Sequence, residues 1–277
     1  MRNPYLPIPV KVKKTFIESE DRMIKTLDLL FLNKEDKENF EFMPGQFCEI
    51  SVWGKGEAPF GIASSPLEKD SLKFTVNRAG IVTTALHYLK ENDELGLRGP
   101  LGNSYPIELF KGKSVVIVGG GFAFTTLRAL TKYLLAWRKD FKGITIIYGA
   151  RTPGMLLYKE ELKEWERRED LKVYITVDKG DKNWQGLVGF VPTVVEKKAP
   201  SPEDAYAVIC GPPIMIKFTL PKLLALGFSP ERIYTSLEMR MKCGIGKCGR
   251  CNIGRFYVCK DGPVFNYAQL EKLPGEY

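Results

Sequence analysis

Val115-Val116-Ile117-Val118-Gly119-Gly120-Gly121 sets four β-branched residues directly against three glycines. A short apolar run closed by glycine predicts a strand buried on both faces, over 114–118. The residues after it predict a helix over 125–137. A strand, a glycine turn and a helix in succession place backbone N–H groups and a helix N-terminus where a pyrophosphate can sit. The turn departs from G-x-G-x-x-G, because Phe124 holds the third glycine position. Glycine turns also arise for steric reasons, so this stretch alone leaves both readings open.

The same grammar continues downstream. Strands are expected over 144–148, 171–177 and 205–210, with a charged helix over 159–168. Strands alternating with helices predict a parallel, doubly wound α/β domain, here placed at 109–232. Ligands in such sheets bind beyond the carboxyl ends of the strands, where Cys210 falls in Ile209-Cys210-Gly211-Pro212-Pro213. A buried cysteine before a proline turn is the plainer reading of that residue.

Upstream the pattern is different. Short strands are expected over 10–16, 24–31, 45–52, 72–76 and 94–98, with one helix over 83–92. Partial period-2 alternation and intervening turns predict a small antiparallel barrel over 1–108. Within it, Pro59-Phe60-Gly61-Ile62-Ala63-Ser64 joins an aromatic to small and hydroxyl residues. Arg78-Ala79-Gly80-Ile81-Val82-Thr83 is a glycine turn entering a helix, a second possible phosphate cradle. Each is also compatible with an ordinary turn.

Beyond residue 232 the chain carries Cys243, Cys248, Cys251 and Cys259, spaced C-x4-C-x2-C-x7-C. The first three have plant-type [2Fe–2S] spacing, and the fourth completes a four-thiolate set. Glycines 244, 246 and 249 let the backbone wrap tightly around it. A four-thiolate zinc site is the alternative, but it usually uses two C-x2-C pairs, and only Cys248 and Cys251 form one. A small iron–sulfur loop domain is therefore expected over 233–277.

Composition narrows the chemistry. The chain has 277 residues, 44% hydrophobic and 27% charged, as expected of an ordinary globular protein. No apolar run reaches the ~18 residues of a membrane span, and no signal-peptide h-region follows Met1-Arg2-Asn3-Pro4. Six cysteines, four of them in one ligand set, fit a reducing cytoplasm. The net charge of +8 comes from scattered basic residues without interleaved aromatics, which argues against nucleic acid and for a solvated basic surface that could face an acidic partner protein. The single histidine, His87, leaves little room for histidine triads or histidine-rich metal sites. Cofactors must carry the chemistry.

Taken in order, these segments resemble the ferredoxin–NADP reductase superfamily. The resemblance runs from about Val10 to Phe265 and is strongest to its branch with a C-terminal [2Fe–2S] loop, the electron-transfer subunits of dihydroorotate dehydrogenase, anaerobic sulfite reductase and cytosolic sulfhydrogenases. The stretch from Ser236-Leu237-Glu238 to Cys259-Lys260-Asp261-Gly262-Pro263-Val264-Phe265 is most similar to sulfhydrogenase gamma (diaphorase) subunits. The resemblance implies FAD in the barrel, flanked by Pro59, Phe60, Gly61, Ile62, Ala63 and Ser64, with Arg78, Gly80, Val82 and Thr83 toward its pyrophosphate. It implies NAD(P) over Gly119, Gly120 and Gly121, with Cys210, Gly211 and Pro212 near the nicotinamide–flavin contact. The four cysteines would carry electrons to or from other redox subunits of a hetero-oligomeric complex, hydrogenase and iron–sulfur subunits foremost, with no nucleic acid or membrane insertion involved. Arg151, after the second nucleotide-domain strand, could meet the 2′-phosphate of NADP or be a surface arginine. Two departures stand out. The superfamily's R-x-Y-S reads Ala58-Pro59-Phe60-Gly61, without the arginine, and the glycine and proline after the Gly-rich turn become Ala123 and Thr126.

Overall fold

The computed structural model of the chain describes residues 3–238 and 241–273. Met1 and Arg2 of the expected barrel domain, and Met239, Arg240 and the last four residues of the expected cluster domain, lie outside that range.

Strands β1 (Ile8–Ile17), β2 (Ile24–Phe31), β3 (Phe47–Val52), β4 (Gly56–Gly61), β5 (Leu72–Asn77) and β6 (Glu94–Leu101) form an antiparallel sheet in the order β4-β3-β6-β1-β2-β5. It curls until its two outer strands approach each other. Val10, Val12, Leu27, Leu29, Ile50 and Phe74 fill the interior. Helices α1 (Lys34–Glu38) and α2 (Ile81–Tyr88) flank it.

Strand β4 was not among the expected strands. Gly56, Pro59 and Gly61 are poor strand formers, and Pro59 has no N–H for a ladder. An outer position paired only with β3 tolerates all three. Helix α2 also differs from the expected 83–92. Thr83 lies in its first turn, where its Oγ1 accepts from the N–H groups of Ala79 and Gly80 at 2.9 and 2.7 Å. The helix stops at Tyr88 because Leu89 turns extended, and buried Lys25 donates Nζ to the carbonyls of His87 and Leu89 at 2.9 and 2.8 Å.

After the short α3 (Ile107–Phe110) comes the second sheet. It comprises β7 (Ser114–Gly120), β8 (Gly143–Ala150), β9 (Lys172–Val177), β10 (Leu187–Val188), β11 (Ala205–Cys210) and β12 (Ile233–Ser236), all parallel. Helices α4 (Phe124–Ala136), α5 (Lys159–Glu166), α6 (Val191–Lys198) and α7 (Pro213–Ala225) cover it. Val115 and Ile117 pack into the core on one face, Val116 and Val118 into that on the other. Burial on both faces is why β7 shows no polar alternation.

The C-terminal segment folds onto both sheets. A two-stranded ribbon, β13 (Asn252–Ile253) with β14 (Phe256–Tyr257), precedes α8 (Val258–Asp261), β15 (Val264–Asn266) and α9 (Tyr267–Leu270). Strand β15 pairs antiparallel with β12, so this segment is hydrogen-bonded into the nucleotide sheet. Its core of Met241, Ile253, Val258, Phe265 and Leu270 also takes in Phe47 from β3. Asn103 secures it further, donating Nδ2 to the Val264 carbonyl at 2.8 Å and accepting from the Val264 N–H at 2.9 Å.

Candidate flavin, nucleotide and cluster sites

In the strand order β10-β9-β8-β7-β11-β12 the chain reverses direction across the sheet between β7 and β11, and crevices form beyond the carboxyl ends at such a point. Gly119 pairs with Cys210 there. Two cavities meet at Cys210. One, of about 380 Å³, lies between the barrel and the second sheet, lined by Pro59, Phe60, Gly61, Thr83, Thr126 and Cys210, with Met241 and Pro263 of the C-terminal segment. The other, of about 840 Å³, is lined by Gly120, Cys210, Gly211, Pro212 and the start of α7, with Tyr267 and Leu270. Phe122, Ala123, Ser236 and exposed Glu238 line both. Strand geometry thus brings the barrel, the glycine turn and the C-terminal segment to one place.

Ile62, Ala63 and Ser64 stand apart from that lining. All three are buried in the barrel wall, where the Ser64 hydroxyl accepts from the Lys73 N–H at 2.8 Å. The Ala63 carbonyl accepts from buried Arg128 of α4 at 2.6 Å. Arg78 is exposed and lies over the Tyr88 ring at 5.6 Å, beside Gly80 and half-buried Val82. Gly119 and Gly120 leave no room for a Cβ against Phe124 and Met215, so close packing of helix on strand requires them. Gly121 is left-handed, with φ 54°, and open. Arg151 is exposed after β8, and Asp178, following β9, lies in its field. Burial raises the Asp178 carboxyl and Arg151 opposes that. Asp178 escaped the sequence reading, although its place just beyond a parallel strand marks it.

The four cysteines are drawn together by a loop whose glycines 244, 246 and 249 have φ of 72°, 70° and 71°. Backbone N–H groups point at sulfur. Cys243 Sγ accepts from Lys247 and Cys248 at 3.3 and 3.4 Å, Cys259 Sγ from Gly246 at 3.2 Å, and Cys251 Sγ from Cys259 at 3.5 Å. Partial burial opposes ionisation of Cys243, but the N–H groups of Ile245, Cys248 and Lys247 outweigh it and lower the thiol to about 6. Burial and the neighbouring Cys251 raise Cys259 to about 12. The thiols form two contacting pairs, Cys243 with Cys248 and Cys251 with Cys259. Among the described residues no three His, Cys, Asp or Glu side chains converge on a single ion. Four cysteines in two pairs, with N–H donors to the sulfurs of Cys243, Cys251 and Cys259, fit a [2Fe–2S] group.

A buried clamp supports this loop. Arg98 of β6 donates Nη1 and Nη2 to the Cys243 carbonyl, both at 3.1 Å, and Nη2 to Glu57 at 2.6 Å. Glu49 beside it is fully buried with neither oxygen hydrogen-bonded. Burial, then the Glu57 charge, raises its carboxyl to about 8 against the pull of Arg98.

Residues 117–220 match the oxidoreductase NAD-binding domain family, and 238–271 the iron–sulfur cluster binding domain of dihydroorotate dehydrogenase B. Over 280 aligned positions the chain is 38% identical to sulfhydrogenase 1 subunit gamma of Pyrococcus furiosus, covering 99% of this chain and 95% of that one. It is also 38% identical to a probable dihydroorotate dehydrogenase B electron-transfer subunit of Thermococcus kodakarensis, covering 86% and 89%. The chain belongs to this family of electron-transfer subunits. It is an oxidoreductase subunit with the ferredoxin–NADP reductase fold, and the cluster reading of its cysteines stands over the zinc one. A chain from the structure of an NADH-dependent reduced ferredoxin–NADP oxidoreductase superposes with a TM-score of 0.73 at 26% identity, covering 100% of this subunit and 95% of that chain. No helix among the described residues is long and apolar enough to cross a membrane.

Proposed function

We propose that the chain is a diaphorase subunit passing electrons between NAD(P)H, FAD and a [2Fe–2S] cluster, to or from a partner redox subunit of the NiFe hydrogenase type. The observation that carries this reading is the cavity lined at once by Phe60 of the barrel, Thr126 of α4, Cys210 of β11, and Met241 and Pro263 of the cluster segment. A flavin held there would supply acceptance of a hydride from a nicotinamide and one-electron release toward a cluster.

The chain's own residues do the rest. Residues 1–108 hold the flavin, its ring against Pro59, Phe60 and Gly61 and its pyrophosphate toward Gly80, Val82, Thr83 and Arg78. Residues 109–232 hold the nucleotide, with Gly119, Gly120 and Gly121 at its phosphates and Cys210, Gly211 and Pro212 at the nicotinamide end. Residues 233–277 hold the cluster on Cys243, Cys248, Cys251 and Cys259. Cys210, raised by burial to about 11, stays a neutral thiol at physiological pH and adds no charge where hydride crosses. Exposed Arg151, after β8, is read as the partner of the 2′-phosphate of NADP, which favours NADPH slightly over NADH. Match to sulfhydrogenase gamma along 99% of the chain favours a hydrogenase-type partner. The dihydroorotate dehydrogenase B assignment of the cluster segment supports the equivalent subunit of that enzyme as the second reading.

Anaerobic purification followed by visible spectroscopy and iron analysis tests the proposal. Flavin and cluster bands that bleach with NADPH or NADH, with about two irons per chain, are expected. Zinc without flavin absorbance would overturn it.

A further inference from the structure

Gly61 ends β4 on one wall of the shared cavity, and Thr126 of α4 stands opposite. A Cβ at residue 61 would overlap the Thr126 methyl, so the barrel must lack a side chain there for the two sheets to close. The Thr126 hydroxyl points the other way. Its single proton is shared between two acceptors, the Ala123 carbonyl at 3.2 Å within the helix and Cys210 Sγ at 3.5 Å across the junction. The Cys210 thiol in turn points to the Ser236 carbonyl at 3.9 Å. The sulfur is therefore held between α4 and β12 by one contact on each side. Behind them Tyr105, 1% exposed, brings its hydroxyl toward Thr126 and Ser236 without closing a hydrogen bond of good geometry.

We propose that Thr126 is a positioning residue of the hydride-crossing site, its methyl seated on Gly61 and its hydroxyl fixing the Cys210 thiol between the flavin and nicotinamide cavities. This rests on the functional reading above. The hydroxyl at the junction then comes from the nucleotide domain, across the gap, while the barrel supplies the space. Barrel and sheet are read together at this point, because the methyl and the hydroxyl of one side chain serve different partners.

Two substitutions separate those roles. Thr126→Ser removes the methyl and keeps the hydroxyl, whereas Thr126→Val does the reverse. In the full-length chain loaded with FAD, Thr126→Val should slow flavin reduction by NAD(P)H about three- to tenfold at unchanged nucleotide KM, the range expected for loss of one hydrogen bond. It should also slow iodoacetamide labelling of Cys210, followed by peptide mass mapping, while Thr126→Ser stays within about twofold of wild type in both. Gly61→Ala should lower the thermal midpoint and FAD retention, and Gly61→Ala with Thr126→Ser should restore them. Equal behaviour of Thr126→Val and Thr126→Ser, or failure of Thr126→Ser to rescue Gly61→Ala, would overturn the inference while leaving the diaphorase reading intact. A wild-type chain that binds no FAD would overturn that reading; Cys210 labelling in the two Thr126 variants would still decide whether the contact exists.

Discussion

Arg128, on the helix that follows the glycine turn, donates Nη1 to the carbonyl of Ala63 in the barrel at 2.6 Å. The same guanidinium, 3% exposed, pairs with Glu68 of the barrel at 3.0 Å and with Glu161 of α5 at 2.5 Å, and lies over the Tyr158 ring at 5.2 Å. One buried cation thus joins the barrel to α5 of the second domain. A planar fork with several fixed donors suits this task, and lysine would not reproduce it.

Arg128→Leu should leave Glu68 and Glu161 without their main partner. Removing one member of a buried ion pair costs about 3–5 kcal/mol, so scanning calorimetry should show a thermal midpoint lower by roughly 10 °C. Arg128→Lys should recover only part of it.

Acid should act through Glu68. Burial alone would raise this carboxyl, but Arg128 and the Ser65 N–H overcome it and hold Glu68 at about 2. A depressed carboxyl stabilises the fold fully above its unfolded value and loses that contribution as pH falls through its folded one. The stability gap between wild type and Glu68→Gln, followed by urea unfolding, should therefore be constant above pH ~4.5 and close by pH ~2. A gap that widens on acidification would contradict the pairing.

Serine at any cluster cysteine should remove the iron, from about two atoms per chain to near none. Flavin bleaching by NAD(P)H should survive, because Pro59, Phe60 and Cys210, on the cavity's other walls, lie outside the cysteine loop. Cys251→Ser and Cys259→Ser, each 1% exposed in the segment's core, should also lower the thermal midpoint, unlike exposed Cys248→Ser.

Arg151→Ala should raise the KM for NADPH about tenfold, as loss of a charge-assisted hydrogen bond implies, and leave that for NADH unchanged. Asp178→Asn should lower the KM for NADPH by removing a negative charge from beside the guanidinium. Steady-state diaphorase assays with both nucleotides check the pair.

Much of this was legible before any coordinates. Strands Ile24–Phe31 and Ala205–Cys210 appear at the expected residues because their hydrophobic pattern decides them. The cysteine spacing needed no fold to be read. Strand β4 was hidden because a proline and two glycines are acceptable only on an outer strand, and strand order is not written locally. The end of α2 was hidden because Lys25, some sixty residues earlier, caps it. Gly61 and Thr126 were visible as oddities in two separate motifs. Only the closing of barrel on sheet makes them one contact.

Because β12 and β15 flank the cysteine loop and are laddered into the same sheet as the glycine turn, the loop is mounted rather than tethered. A carrier on a tether shuttles its charge, and its rate follows the drag of the solvent. Arg98 ties the same loop to the barrel through the Cys243 carbonyl, so on the proposed reading the gap from barrel to cluster has a set width, and turnover through this segment should be indifferent to viscosity.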